Sequence, residues 1–152
     1  MENELIFPSM FEDVATFHKE ILGQPQAETP SLISRAFIME RMRFMQEELD
    51  EFVEAGFEGR MTDAADAIGD IIYVALGTAY IMNLPFNEIW MAIQSANMRK
   101  QRGKTSRDQE FDAIKPVGWV GPEPDIAAAI LKRIDEAKSP GDDAPSSRSS
   151  GA

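Results

Sequence analysis

Apolar positions along the chain recur at intervals of three and four residues in successive blocks. The first contains Met10, Phe11, Val14, Phe17, Ile21 and Leu22. Ser9, with Glu12 three residues on, has the form of a capping box, so a helix starts there and Gly23 stops it. Gln24 to Pro30 carries two prolines and reads as a connector. Ser31 then caps a long helix running to about Gly56, and Gly56 and Gly59 bracket a turn. Thr62 or Asp63 caps a third helix reaching about Asn83, and Pro85 and Asn87 restart the chain into a fourth that ends near Gln101.

Beyond Arg102 the periodicity gives way to a stretch of Gly, Pro and charge through Pro124. It reads as an ordered loop anchored by Phe111, Ile114, Val117 and Trp119. Asp125 to Lys138 has the composition of a short Ala-rich helix, whereas 139–152 has almost nothing to bury and reads as a disordered tail. No segment alternates apolar and polar residues as a strand would, and no repeat is present. The pattern predicts one all-α domain over residues 1–138, a four-helix bundle.

Composition narrows the chemistry. A chain of 152 residues has room for one core, and no apolar run reaches the roughly 18 to 20 residues of a bilayer span, so no membrane partner is expected. Met1 to Pro8, with Glu2 and Glu4, lacks the start of a signal peptide, which predicts a cytoplasmic protein. The absence of cysteine excludes disulfides, thiolate nucleophiles and cysteine-ligated metals. A formal net charge of -11 opposes binding to long nucleic acids, and an acidic protein that handles a polyphosphate needs cations to bridge the two.

Plotted at about 100° per residue, the second helix gathers Phe37, Ile38, Met42, Phe44, Met45, Leu49, Phe52 and Val53 on one broad arc, the expected buried side. Glu48 falls inside that arc, Glu47 and Glu51 lie at its edge, and Arg41 is on the same side. The third helix repeats the anomaly: Asp63, Asp66 and Asp70 are its only charges and share a stripe with Tyr73 and Gly77. For Glu47, Asp50, Glu54 and Glu58 a solvated face is a sufficient explanation, and for Asp63 a helix cap is. Glu48, Asp66 and Asp70 are expected to be buried, and a buried carboxylate without compensation costs several kcal/mol. Arg35, Arg41, Arg43 or Arg60 offer ion pairs; a hard oxygen-ligated cation, Mg²⁺ or Mn²⁺, explains the clustering on two successive helices more simply. Downstream, Asn97, Arg99, Lys100, Arg102, Lys104, Arg107 and Lys115 fit either a helix C-terminus with a solvated loop or, beside a metal, phosphate recognition. Neither a P-loop nor a dinucleotide fingerprint is present.

Several ordered pieces together resemble the MazG-like, all-α nucleoside triphosphate pyrophosphohydrolases, a group that includes the phosphoribosyl-ATP pyrophosphohydrolases and the dimeric dUTPases. They are Glu47-Glu48-x-x-Glu51, the run Asp66 to Tyr73, Ser95 to Lys100, and Ile114-Lys115-Pro116 leading into Pro122-x-Pro124-Asp125-Ile126, with Phe17-His18 near the start. The resemblance implies a metal cluster of Glu47, Glu48, Glu51, Asp66 and Asp70, with Glu47 or Glu48 as the base on the attacking water, Mg²⁺ as cofactor and Mn²⁺ as a substitute. It implies that Lys100 and Lys115 take phosphate oxygens, that Asn97 and Tyr73 contact sugar or base, and that Trp90, Phe7, Phe17 or His18 line a base pocket; for each aromatic, core packing is the competing explanation. It implies a homo-oligomer, dimer or tetramer, with sites between neighbouring chains. The sequence departs from the usual Glu-x-x-Asp of the third helix by carrying Ala67, with Asp66 as the substitute acid. The overall likeness is to the phage MazZ-type branch, which implies conversion of (d)GTP to (d)GMP and pyrophosphate, supplying dGMP for 2-aminoadenine synthesis. The competing expectations are a dCTP, dUTP or damaged-nucleotide pyrophosphatase and, in another class, an inactive nucleotide-binding or interaction protein.

Overall fold

A computed structural model describes residues 9–105, 107, 109 and 111–139. The chain forms α1 (Met10–Glu20), α2 (Arg35–Phe57), α3 (Met61–Ile81), α4 (Phe86–Met98), a two-stranded ladder of β1 (Gln101–Arg102) and β2 (Ala113–Ile114), and α5 (Glu123–Lys138). The all-α expectation holds, with the small ladder as a correction to it. The expected Phe7 contact and the tail beyond Ser139 lie outside the described residues.

The capping box at α1 is present: Glu12 N–H donates to Ser9 Oγ (3.2 Å) and Ser9 N–H to the Glu12 carboxylate (2.6 Å). At α2 the cap is Ser34, whose Oγ accepts from Phe37 N–H, rather than Ser31. Ser31 N–H instead donates to the Met82 carbonyl, and Ala27 N–H to that of Ile81, so the connector is held extended along the end of α3 and the helix starts one turn later. Neither Thr62 nor Asp63 caps α3, which follows Arg60 without a side-chain cap.

α3 packs on α2, α1 and α4, which buries most of its C-terminal end, while Ile68 and Ile72 before it stay exposed; its length and hydropathy alone would suit a membrane span. Its buried side chains include Ala67, Leu76, Ala79, Tyr80 and Ile81. Where α1 crosses it, the His18 ring occupies the space that a side chain at Gly77 would fill: a Cβ there would lie 2.2 Å from His18 Nε2. Arg41 crosses from α2 to α3, donating through Nε to Thr78 Oγ1 (2.9 Å) and through Nη2 to the Val74 carbonyl (2.8 Å), with Phe44 under the guanidinium. At the far end of α3, Asn83 takes a left-handed conformation (φ 53°), donates to the carbonyls of Ala27 and Glu28 and accepts from Arg133 of α5.

The arc assigned to the core on α2 is not buried by the chain itself. Ile38, Met42, Phe44, Leu49, Phe52 and Val53 all remain exposed, and only Arg41 and Ala55 of this helix are buried. A single α3 cannot cover an arc that broad. In the later segment Phe111 and Val117 are also exposed rather than anchoring, and Trp119 is the half-buried one.

Candidate metal and phosphate site

α2 and α3 fold back on one another through a tight turn in which Gly59 adopts φ +72° and Arg60 N–H donates to the Ala55 carbonyl. Glu47 to Glu51 lie about as far before this turn as Asp66 to Asp70 lie after it, so packing the two helices sets the acids at the same level. Glu48 is half-buried, whereas Glu47, Glu51, Asp66 and Asp70 are exposed, which corrects the expectation that Asp66 and Asp70 would be buried. The Glu48 carboxyl is pushed above its ordinary pKa, first by desolvation and then by the negative charges of Glu51, Asp70, Glu47 and Asp66. The other four acids singled out in the sequence therefore all act on Glu48 in the fold. No cation contributes to the shift at Glu48.

Of the proposed arginine partners, Arg41 is occupied by Thr78 and Val74, and Arg60 pairs with Glu58 and Asp63 at the turn. Asp63 is thus an ion-paired first-turn residue with its own counterion. Ala67 is 2% exposed and faces the core, where a carboxylate would be desolvated; Asp66, one residue earlier and about 100° round the helix, presents its charge towards Glu48 instead. The substitute acid thereby enters the same electrostatic cluster.

A cleft of about 280 Å³ opens between the helices, lined by Glu51, Glu54, Arg60, Asp63 and Asp66. Among the described residues no three acidic or histidine side chains converge closely enough to hold a metal ion between them as they stand. The chemistry of the donor set still suits a hard divalent cation: it is oxygen only, carried on two braced helices, and its half-buried member is disfavoured as an anion by burial and then by its neighbours.

The basic residues are assembled separately. In the ladder Gln101 pairs with Ile114 and Arg102 with Ala113, so the same register carried one step outward sets Lys100 opposite Lys115. Pro116 to Trp119 form a turn closed by Trp119 N–H to the Pro116 carbonyl, with Gly118 at φ +77°, a conformation that favours glycine. This turn brings Trp119 back onto α4, where its indole N–H donates to the Ala96 carbonyl (2.9 Å) while Arg99 donates to the Val120 carbonyl (3.2 Å). The ring centroid then lies 5.5 Å from Lys100 Nζ and 4.7 Å from Lys115 Nζ. Asn97, Lys100, Arg102 and Phe111 line an open hollow beside the ladder, whose loop is tied by Thr105 and Arg107 to the Asp112 carboxylate.

The remaining candidates scatter. Tyr73, on α3 one turn beyond Asp70, meets the edge of Phe17 (5.5 Å) and lines a groove with Met10, Val14 and Leu76. Trp90 is exposed on α4, with no partner ring among the described residues. His18 is 4% exposed, wedged between Gly77 and Tyr80 with Nδ1 unpartnered, and burial followed by the Arg41 charge lowers its pKa. Its position is that of a core residue. Trp119, read in the sequence only as an anchor, is the functional candidate that sequence reasoning missed; the signal was the Pro-x-Gly-Trp turn immediately after Lys115.

Residues 14–97 match the sequence profile described as phosphoribosyl-ATP pyrophosphohydrolase, which runs from within α1 to nearly the end of α4 and includes all five clustered acids. A comparison with curated proteins gave no match.

Proposed function

Because this chain belongs to the phosphoribosyl-ATP pyrophosphohydrolase family, we propose that it is a Mg²⁺-dependent nucleoside triphosphate pyrophosphohydrolase acting on (d)GTP, with dGMP and pyrophosphate as products from dGTP. The observation that carries this reading is that α2 and α3 set Glu47, Glu48, Glu51, Asp66 and Asp70 at one level, near enough that burial and then the other four charges raise the pKa of Glu48. Glu47, Glu48, Glu51, Asp66 and Asp70 would hold the metal ion, with Mn²⁺ as a substitute. When bound, the ion neutralises the polyphosphate's charge and makes water more acidic. A carboxylate whose pKa is raised is a stronger proton acceptor, and Glu48 or Glu47 is placed to take the proton of the water that attacks the α-phosphorus. Lys100 and Lys115 hold the phosphates beyond the α-phosphorus, whose negative charge is present in substrate and product alike; Asn97 and Tyr73 serve the nucleoside end.

α2 exposes Ile38, Met42, Leu49 and Phe52 on one side. An apolar face this broad supports a homo-oligomer, with sites between neighbouring chains as the resemblance implies. The guanine preference and the role in a phage modified-base pathway rest on the resemblance of the sequence. Incubating the purified protein with each NTP and dNTP and Mg²⁺, and separating the products, is the direct test. Pyrophosphate and monophosphate are expected, fastest from dGTP or GTP. Release of orthophosphate would overturn the reaction, and faster turnover of dCTP or dUTP would overturn the base assignment. No turnover of any of them would favour a binding protein, the reading that Ala67 keeps open.

A further inference from the structure

Two features of the arm after α4 are costly unless something else is bound there. Directly opposed like charges destabilise a strand pair, yet the register sets Lys100 against Lys115 just outside the ladder. Among the described residues neither lysine forms an ion pair. What both do meet is the Trp119 ring, within about 6 Å of its centroid, where the negative face of the indole attracts an ammonium. The ring is itself fixed, by the Ala96 carbonyl at its N–H and by the Gly118 turn behind it. An indole attracts each cation but supplies no charge to neutralise the pair; an oxyanion chain reaching both would.

We propose that Trp119 is a positioning residue that holds Lys100 and Lys115 as the two jaws of a polyphosphate clamp. The clamp acts on the phosphate chain, not on the base or the reacting phosphorus, so it binds ground state and transition state about equally. It rests on the lysines serving phosphate, as in the proposed function, but not on hydrolysis taking place. Removing the ring leaves both ammoniums present and free to separate. Replacing the indole by phenyl keeps a π-face and loses only the N–H tether.

The test uses the full chain and inorganic tripolyphosphate as probe, with binding followed by calorimetry and turnover measured in parallel. Trp119→Leu is expected to weaken tripolyphosphate binding about tenfold and to raise KM by a similar factor with kcat nearly unchanged, while Trp119→Phe stays within about threefold of the wild type. Should Trp119→Leu fail to fold, progressive fluorination of the indole at position 119, which drains the negative face without changing its shape, is expected to weaken binding stepwise. Wild-type affinity in Trp119→Leu or in the fluorinated series overturns the proposal, as does a Trp119→Phe variant as weak as Trp119→Leu, which would mark the tether alone as important. A wild-type protein that does not bind tripolyphosphate also overturns it. A wild-type protein that binds the probe in this ring-dependent way but hydrolyses no nucleotide leaves the clamp standing and removes the enzymatic reading instead.

Discussion

In the α2–α3 pair, five carboxylates are carried by two long helices that fold back at Gly59, whereas in the arm after α4 two ammoniums are carried by a ladder of two residue pairs. Each region concentrates one sign of charge, and each resists its own repulsion differently. The helices are braced well away from the acids, by Arg41 bridging to Thr78 and Val74 and by His18 seated against Gly77, so the cluster needs no local counterion to stay in place. The ladder has no such reserve of packing. Its lysines are held by a π-face at the site itself. Rigid scaffolds can therefore carry unneutralised charge at a distance from what stabilises them, while a short hairpin must restrain its charges where they stand.

The largest expected effect separates the two regions by chemistry. Glu48→Gln should lower turnover by about a hundredfold to ten-thousandfold, the range for removing a positioned acid–base group. It should also raise the melting temperature of metal-free protein, because a partly desolvated charge that four neighbouring carboxylates disfavour is gone. Kinetics and thermal scans with and without Mg²⁺ check both, and a wild-type rate in this variant would break the assignment of the acidic half.

Gly77→Ala tests the remote bracing. The added methyl collides with the His18 ring, so a loss of about 1–3 kcal/mol is expected, read from the urea midpoint. Tripolyphosphate affinity should be unaffected, since the arm does not lean on that crossing. Lys115→Met comes next, with KM raised about tenfold and kcat nearly unchanged. Because Lys115 is exposed, the difference from wild type should shrink at about 1 M salt, where the Debye length falls to about 3 Å.

The smallest effect is that of pH. His18 has a pKa below 6.5 in the fold, so between that lowered value and 6.5 the unfolded chain binds more protons and stability falls as the solution is acidified. Glu48 acts in the opposite sense. Its folded pKa lies above 4.5, so from 4.5 up to that raised value the native state holds the extra proton, and stability falls as pH rises. Denaturant midpoints measured without Mg²⁺ across this range should lose the first dependence in His18→Gln and the second in Glu48→Gln. Exchange of these two assignments would show that the core and the cluster have been confused.

The helices were largely legible because their signals are local. Ser9 with Glu12 encodes its own cap, and the three-and-four spacing survives whatever packs against it. Ser34 was missed in favour of Ser31 because the choice lies in hydrogen bonds from the connector to the end of α3, over fifty residues away in sequence. The five acids could be found because helical spacing and family likeness pointed to the same positions. Their exposure could not be inferred: periodicity says which residues share a face, but not whether one chain alone covers it, and the face of α2 around Leu49 and Phe52 stays open. Trp119 was visible only as an apolar residue, since a ladder of two pairs leaves no alternating pattern and its register is set by how the loop from Gly103 to Asp112 closes.

By itself, the sequence determined the number and type of the helices, the sign and placement of charge along them, and the family to which the chain belongs, because each is written in spacings of a few residues. Only the tertiary structure decided that Ala67 faces inward while Asp66 joins the acids, that His18 belongs to the core, and that Lys100 and Lys115 meet across one indole. Those outcomes depend on which segments, distant along the chain, come into contact, and contact at a distance is fixed by packing and hydrogen bonding of the whole rather than by any local pattern.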